Sequence, residues 1–229
     1  MPIEKRVVIT ESNVIVGEGA GDASFFNHLC QVHNIPGFQC LDAGGQDKFE
    51  QYLKDLVSAS GFQAKCKVLI VVGDNDDRTE PAFKRVYKAV KKADIPVPDR
   101  AQQIMKWTTH DLRVGILMIP FNNLGESVKG CLETILLESA AEKNHEIAKC
   151  IPEFGQCVGT ATWANGSHVD KFKLRTLLAA IFRDDPNFGL QYALKPSHDA
   201  IPLTHNCFAG IVSFLRSIPT LPVVEKPEP

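Results

Sequence analysis

The chain has no long apolar run. Nothing in its 229 residues approaches the ~20 consecutive apolar positions that a membrane-spanning helix needs. Met1-Pro2-Ile3-Glu4-Lys5-Arg6 leads straight into a strand-like segment, with no visible targeting signal. A cytoplasmic protein with no membrane partner is expected. Positive charge is not in excess either: 25 Lys and Arg against 27 Asp and Glu leave a formal net charge of -2. That balance excludes a protein that coats nucleic acid by bulk charge, so a local basic patch or a metal bridge would have to do that work. The seven cysteines, an odd number, include no Cys-x-x-Cys, and the seven histidines include no His-x-x-x-His. A disulfide framework and a zinc finger are thereby disfavoured. Cys66 and Cys131 lie in apolar segments and read as reduced core residues. Cys150 and Cys157 leave pairing or metal binding open, with a structural role favoured. There is no Gly-Lys-Ser/Thr phosphate loop, so any ATPase would be a separate partner chain.

What is present is a β/α alternation. Apolar residues make up 44% of the chain, enough for a real core. Val7–Thr10 and Val14–Gly17 are β-rich runs, and Asp22 stands as the N-cap of a helix carrying Phe25, Phe26 and Leu29 at helical spacing. A strand over Phe38–Leu41 and an amphipathic helix over Asp47–Ser58 follow. Thr79–Ala93 is a further helix, with Phe83, Val86, Tyr87 and Val90 inward and Lys84, Arg85, Lys88, Lys91 and Lys92 on its other side. Gln102–Thr108 and Leu112–Ile119 read as two strands, and Ser127–Lys143 as a helix. Residues 1–140 are thus expected to form a doubly wound, largely parallel α/β sheet. Residues 141–218 follow as a helical C-terminal extension packed on it, whether as a cap or as a small subdomain. Within it Cys150–Asn165 looks irregular, Val169–Phe182 and Asn206–Ile218 look helical, and the Pro-rich tail 219–229 is expected to fray.

The centre of the pattern is Val68-Leu69-Ile70-Val71-Val72-Gly73-Asp74-Asn75-Asp76-Asp77. An unbroken apolar run of this kind reads as a strand buried on both faces. Alternate residues of an extended segment share a face, so Asp74 and Asp76 are expected to point the same way from the strand's C-terminal edge. Ligands of open α/β sheets bind at that edge. Two carboxylates held together call for a cation, and oxygen ligands suit Mg2+ or Mn2+. Asp, Asn and Gly are also ordinary turn formers, so the motif depends on its company. Glu18, bracketed by Gly17 and Gly19, ends another strand and would reach the same edge. Asp22, one turn on, either joins that shell or caps its helix.

The order Glu18-Gly19-Ala20-Gly21-Asp22, then Gly44-Gly45, then a hydrophobic strand ending in Asp74-Asn75-Asp76, resembles the Toprim domain. That module is shared by topoisomerases, DnaG-type primases, 5S ribosomal RNA maturases and the overcoming-lysogenization-defect (OLD) nucleases. Gly44-Gly45-Gln46-Asp47-Lys48 and Gly130-Cys131-Leu132-Glu133 resemble signatures of small stand-alone Toprim proteins related to the OLD group. Asp170-Lys171-Phe172-Lys173 and the final helix extend that likeness. Departures are Gly17, where a larger residue is usual, and the absence of a Lys directly after Gly19.

The resemblance implies a Mg2+- or Mn2+-dependent phosphodiesterase or nuclease acting on DNA or RNA, with an ATPase partner and oligomerisation as further possibilities. Asp74 and Asp76 would be metal ligands, and Glu18 a ligand or general acid/base. Asp22, Asp77 and Glu133 are further ligand candidates, while Gly19, Gly44 and Gly45 would let the backbone approach a phosphate. Lys48, Lys171 and Lys173 are candidates for a fixed cation. For Glu133 the competing reading is a solvated helix carboxylate; for Glu126, a helix-N-terminal charge. The Lys84, Lys88, Lys91 and Lys92 stripe is either a phosphate rail or the solvated side of a helix. Only three tyrosines occur and no zinc module, which sets aside topoisomerase and primase chemistry. Two rivals remain: a non-catalytic Mg2+- or nucleotide-binding regulatory module or partner subunit, and an unrelated flavodoxin- or receiver-type protein. The Glu-then-Asp-x-Asp order fits a receiver poorly.

Overall fold

A computed structural model describes residues 7–59, 61–122, 125–218 and 223–224. The elements run β1 (Asn13–Gly17), α1 (Ala20–Val32), β2 (Phe38–Asp42), α2 (Phe49–Ser58), α3 (Phe62–Lys65), β3 (Val68–Asp74), α4 (Thr79–Lys92), β4 (Ile104–Trp107) and β5 (Leu112–Ile119). After them come α5 (Leu132–Lys143), α6 (His145–Ala148), α7 (Cys150–Cys157), α8 (Gly166–Ile181), α9 (Leu190–Ala193), α10 (Ala209–Ser217) and β6 (Val223–Val224). The strands form one six-stranded sheet in the order β2-β1-β3-β5-β4-β6. All neighbours are parallel except β4 and β5. The β/α alternation is therefore a mixed α/β fold with a mostly parallel sheet, and β3 lies inside it between β1 and β5.

Helices cover both faces, and the side-chain period of two sorts the strands between them. Ile15, Ile70, Val72, Leu117 and Ile119 face a core completed by α1, α5, α8 and α10. Val14, Val16, Leu69, Val71, Val114 and Ile116 face α2 and α4 on the other side. The apolar run of β3 supplies both cores at once, which is why it shows no alternation in sequence. Each such aliphatic side chain contributes about 1.5–3 kcal/mol on burial.

Several local expectations need correction. Val7–Thr10 forms no strand. Helix α1 starts at Ala20, so Asp22 is not its N-cap but sits in the first turn, where it accepts the Gly19 N–H at 2.9 Å. The cap is satisfied from inside the helix rather than from its threshold. Helix α5 begins at Leu132 instead of Ser127, because residues before it are held in bridges to other segments: Phe121 with Ser127, and Gly130 with Asp76. Cys150–Cys157, expected to be irregular, is helix α7, and those two cysteines are exposed and free. The C-terminal tail is not wholly frayed: Val223–Val224 pairs in parallel with β4 as an edge strand. The rest of the tail lies outside the described residues. Helices α8 and α10 bury Leu174, Leu177, Leu178, Phe214 and Leu215 in the same core as α1 and α5, so residues 141–218 share the core of the sheet rather than forming one of their own.

Candidate functional site: an acidic cavity at the sheet edge

Strands β1 and β3 are parallel neighbours, so the residues following them emerge at one edge. Glu18 leaves β1 there, and Asp74, Asn75 and Asp76 leave β3. Asn75 is fully buried: its backbone N–H donates to Ile119 O at 2.9 Å and its amide to Pro120 O at 2.6 Å. It ties the end of β3 to the end of β5 and thereby fixes the carboxylates on either side of it.

Those two carboxylates do not share a face as expected. Alternation holds only while the backbone stays extended, and Asp76 adopts a left-handed φ of 50°. Asp74 turns toward α5, where its Oδ1 accepts the Leu132 N–H at 2.9 Å. Asp76 turns to the α4 side of the sheet, where its Oδ2 lies 3.2 Å from Arg85 Nη1. The same guanidinium reaches Glu18 Oε1 through Nη2 at 3.4 Å. With its amide oxygen turned inward, Gln46 accepts from Arg85 Nε at 2.6 Å. Arg85 is therefore the cation between Glu18 and Asp76. Gly73 makes this possible, since a Cβ there would lie 2.5 Å from Val86 Cγ2 and lift α4 off the strand.

A cavity of about 240 Å³ opens on the other side of Glu18, lined by Asp22, Gly45, Asp74, Glu133 and Lys171 among others. Five carboxylates thus meet two cations: Glu18 and Asp76 through Arg85, then Asp22, Asp74 and Glu133 around Lys171. Burial, with repulsion between neighbouring carboxylates, pushes the proton affinities of Glu18, Asp22 and Asp74 up. Asp74 is held well above the usual carboxylate range, first by burial and then by Asp22 and Glu133, with the Leu132 N–H and Lys171 opposing. Asp22 is raised to about 6 for the same chief reason, with Glu18 and Glu133 adding to it. Burial also raises Glu18, against the pull of Arg85. Burial works against the Lys171 ammonium, but Glu133, Asp74 and Asp76 outweigh it, so its pKa rises as well. Lys171 is placed by α8, whose Leu174 and Leu177 are anchored in the core.

The remaining candidates separate clearly. Gly19 and Gly45 line the cavity. Gly45, at φ 117°, donates its N–H to Glu18 O at 2.8 Å, while Gly44 donates to Asp42 Oδ1 at 2.7 Å and lies outside it. Asp77 faces away: both its oxygens accept the Gly166 N–H, at 3.0 and 3.2 Å, which satisfies the start of α8. Lys48 is exposed on the turn Gln46–Lys48 and does not line the cavity. Lys173 lines a neighbouring groove. Glu126 is exposed and bonds Asn122. On the α4 stripe, Lys84 is paired with Glu80 and Lys92 with Glu50. Arg85, the residue that sequence reasoning left among surface charges, was marked only by its place beside Val86 on the inward flank of the stripe.

One group of side chains at the cavity could hold a metal ion. Asp74, Glu133 and Cys131 place ligand atoms within 4.8 Å of one another. Burial raises the Cys131 thiol to about 12, with the charges of Glu133 and Asp74 adding to it. A family model described as a protein of unknown function, DUF3226, matches residues 12–219. The chain belongs to the DUF3226 family. That match spans β1 through α10, so the acidic cavity and the α8 lysine belong to one family unit. No curated protein and no solved structure matches the chain.

Proposed function

We propose that this DUF3226 protein is a Toprim-like, Mg2+- or Mn2+-dependent phosphodiesterase acting on nucleic acid. The observation that carries the reading is the meeting of Glu18, just after β1, with Asp22 of α1, Asp74 of β3 and Glu133 of α5 around one cavity with Lys171. Such a set is electrostatically incomplete: half-buried carboxylates in this number take up protons or a cation. Asp74 and Glu133 would hold the cation, with Asp22 and Glu18 across the cavity. A cation bound there would lower the pKa of a water and neutralise charge on a phosphodiester oxygen.

The protein's own groups supply the rest. Glu18, its proton affinity raised by burial, is suited to accept or return a proton at its carboxylate. Lys171 offers an ammonium for a non-bridging phosphate oxygen. Arg85 orients Glu18 and holds Asp76, and its planar fork can turn to a phosphate. Asp22, Asp74 and Glu133 belong to three separate elements and Glu18 to the short turn between β1 and α1, so positioning comes largely from the fold.

Supercoiled plasmid incubated with the protein and Mn2+ should be nicked, and the Asp74→Asn/Glu133→Gln variant should lose that activity by at least about a hundredfold, as loss of metal-site groups typically costs. A non-catalytic binding module would instead bind Mn2+ by calorimetry and leave DNA and RNA of every form intact.

A further inference from the structure

A second concavity, a groove of about 570 Å³, lies between α7 and the first turns of α8, lined in part by Asp77, Lys129, Gly130, Trp163, Asp170 and Lys173. It begins where the acidic edge ends. Asp77 follows Asp76, the Gly130 N–H donates to Asp76 O at 2.8 Å, and Asp170 directly precedes Lys171. Its size falls within the roughly 300–1,000 Å³ of small-molecule sites, room for an unstacked base with its sugar.

Trp163 stands 40% exposed over this groove. Phe172 holds the indole edge-on, with centroids 5.3 Å apart at 69°, and Phe154 stacks on Phe172 at 5.7 Å and 22°. Trp163 is one of six exposed large apolar residues among those described, and Phe154 and Val158 of the adjoining α7 segment are two more, though of the three only Trp163 lines the groove. The groove's two acids are already engaged: Asp77 by the Gly166 N–H and Asp170 by the Thr134 hydroxyl at 2.6 Å. Lys129 and Lys173 make no ion pair among the described residues, which leaves their ammonium groups as the groove's available charges. A fixed indole beside two free ammoniums takes a base by stacking and its phosphates by charge. Base pairs inside a duplex keep their faces covered, whereas an unpaired base offers its π face.

We propose that this groove binds an unpaired nucleic-acid strand, seating a base on Trp163 and phosphates on Lys129 and Lys173, and leads the adjoining phosphodiester to the acidic cavity. The inference rests on reading that cavity as a phosphodiester site. Binding can be measured apart from cleavage, by fluorescence anisotropy of the full chain in EDTA with a short labelled single strand and with the same sequence as a duplex. The single strand should bind more tightly. Trp163→Ala should weaken it about tenfold or more, with Trp163→Phe restoring most of the loss, since one stacked base accounts for roughly 5- to 150-fold. The Lys129→Ala/Lys173→Ala pair should reduce the salt dependence by about two phosphates' worth. No strand binding, equal affinity for strand and duplex, or wild-type affinity in Trp163→Ala would overturn the groove. Strand binding through Trp163 without Mn2+-dependent cleavage would overturn the phosphodiesterase reading and leave the groove standing. Cleavage indifferent to Trp163 would do the reverse.

Discussion

Asp22→Asn isolates the electrostatic strain of the cavity. The amide keeps an oxygen to accept the Gly19 N–H, now at 2.9 Å, so the first turn of α1 stays closed while one negative charge is removed. In the native protein that charge faces Glu18, Glu133 and Asp74, with Lys171 the opposing cation. Burial and these neighbours raise the Asp22 pKa from 3.8 to about 6. At about 1.4 kcal/mol for each tenfold change in proton affinity, ionising Asp22 in the folded, metal-free protein costs on the order of 3 kcal/mol. Partial access of solvent makes that an upper figure. The sign follows from the folded pKa lying above the unfolded one. The favourable contribution is complete below about pH 4, is lost as pH rises through about 6, and is absent at pH 8. Urea unfolding in EDTA should therefore find Asp22→Asn as stable as wild type near pH 4 and more stable by about 1–3 kcal/mol at pH 8. Saturating Mn2+ should shrink that difference, because each protein is stabilised according to its own Kd and the wild type binds more tightly, a tenfold tighter Kd being worth about 1.4 kcal/mol. A wild type that gains on the variant as pH rises in EDTA would refute the reasoning.

Other perturbations separate scaffold from site. A Cβ on Gly17 would collide with the Asp22 Cβ, so Gly17→Ala should destabilise by about 1–3 kcal/mol in thermal unfolding and weaken Mn2+ binding by moving α1. Asp77→Ala removes the acceptor at the start of α8 and should cost about 1 kcal/mol; unchanged Mn2+ affinity by calorimetry would confirm that Asp77 stands outside the ligand set. Arg85→Ala frees Glu18 and Asp76 from their shared cation. Its effect on stability should stay within about 1 kcal/mol, since Arg85 is partly exposed, while the plasmid-nicking rate falls; a variant that nicks at the wild-type rate would remove Arg85 from the site.

Sequence alone determined what depends on near neighbours. The all-apolar run of β3 announces a strand with cores on both sides, since Val71 and Val72 must each be buried whichever way they point. The stripe of α4 announces its helix because a 3.6-residue period is written in adjacent residues. The carboxylates at the ends of β1 and β3 were legible as spatial neighbours because parallel strands deliver their C-terminal ends to one edge. Tertiary structure decided the membership. Arg85 lies 67 residues from Glu18, yet bonds it because Gly73 lets α4 settle close. Lys171 arrives from α8 because Leu174 and Leu177 bury against α5 and the sheet. The left-handed Asp76 parts it from Asp74, and Asp77 turns aside to serve α8. Those outcomes hang on contacts between segments far apart along the chain, and local periodicity carries no record of where such segments meet.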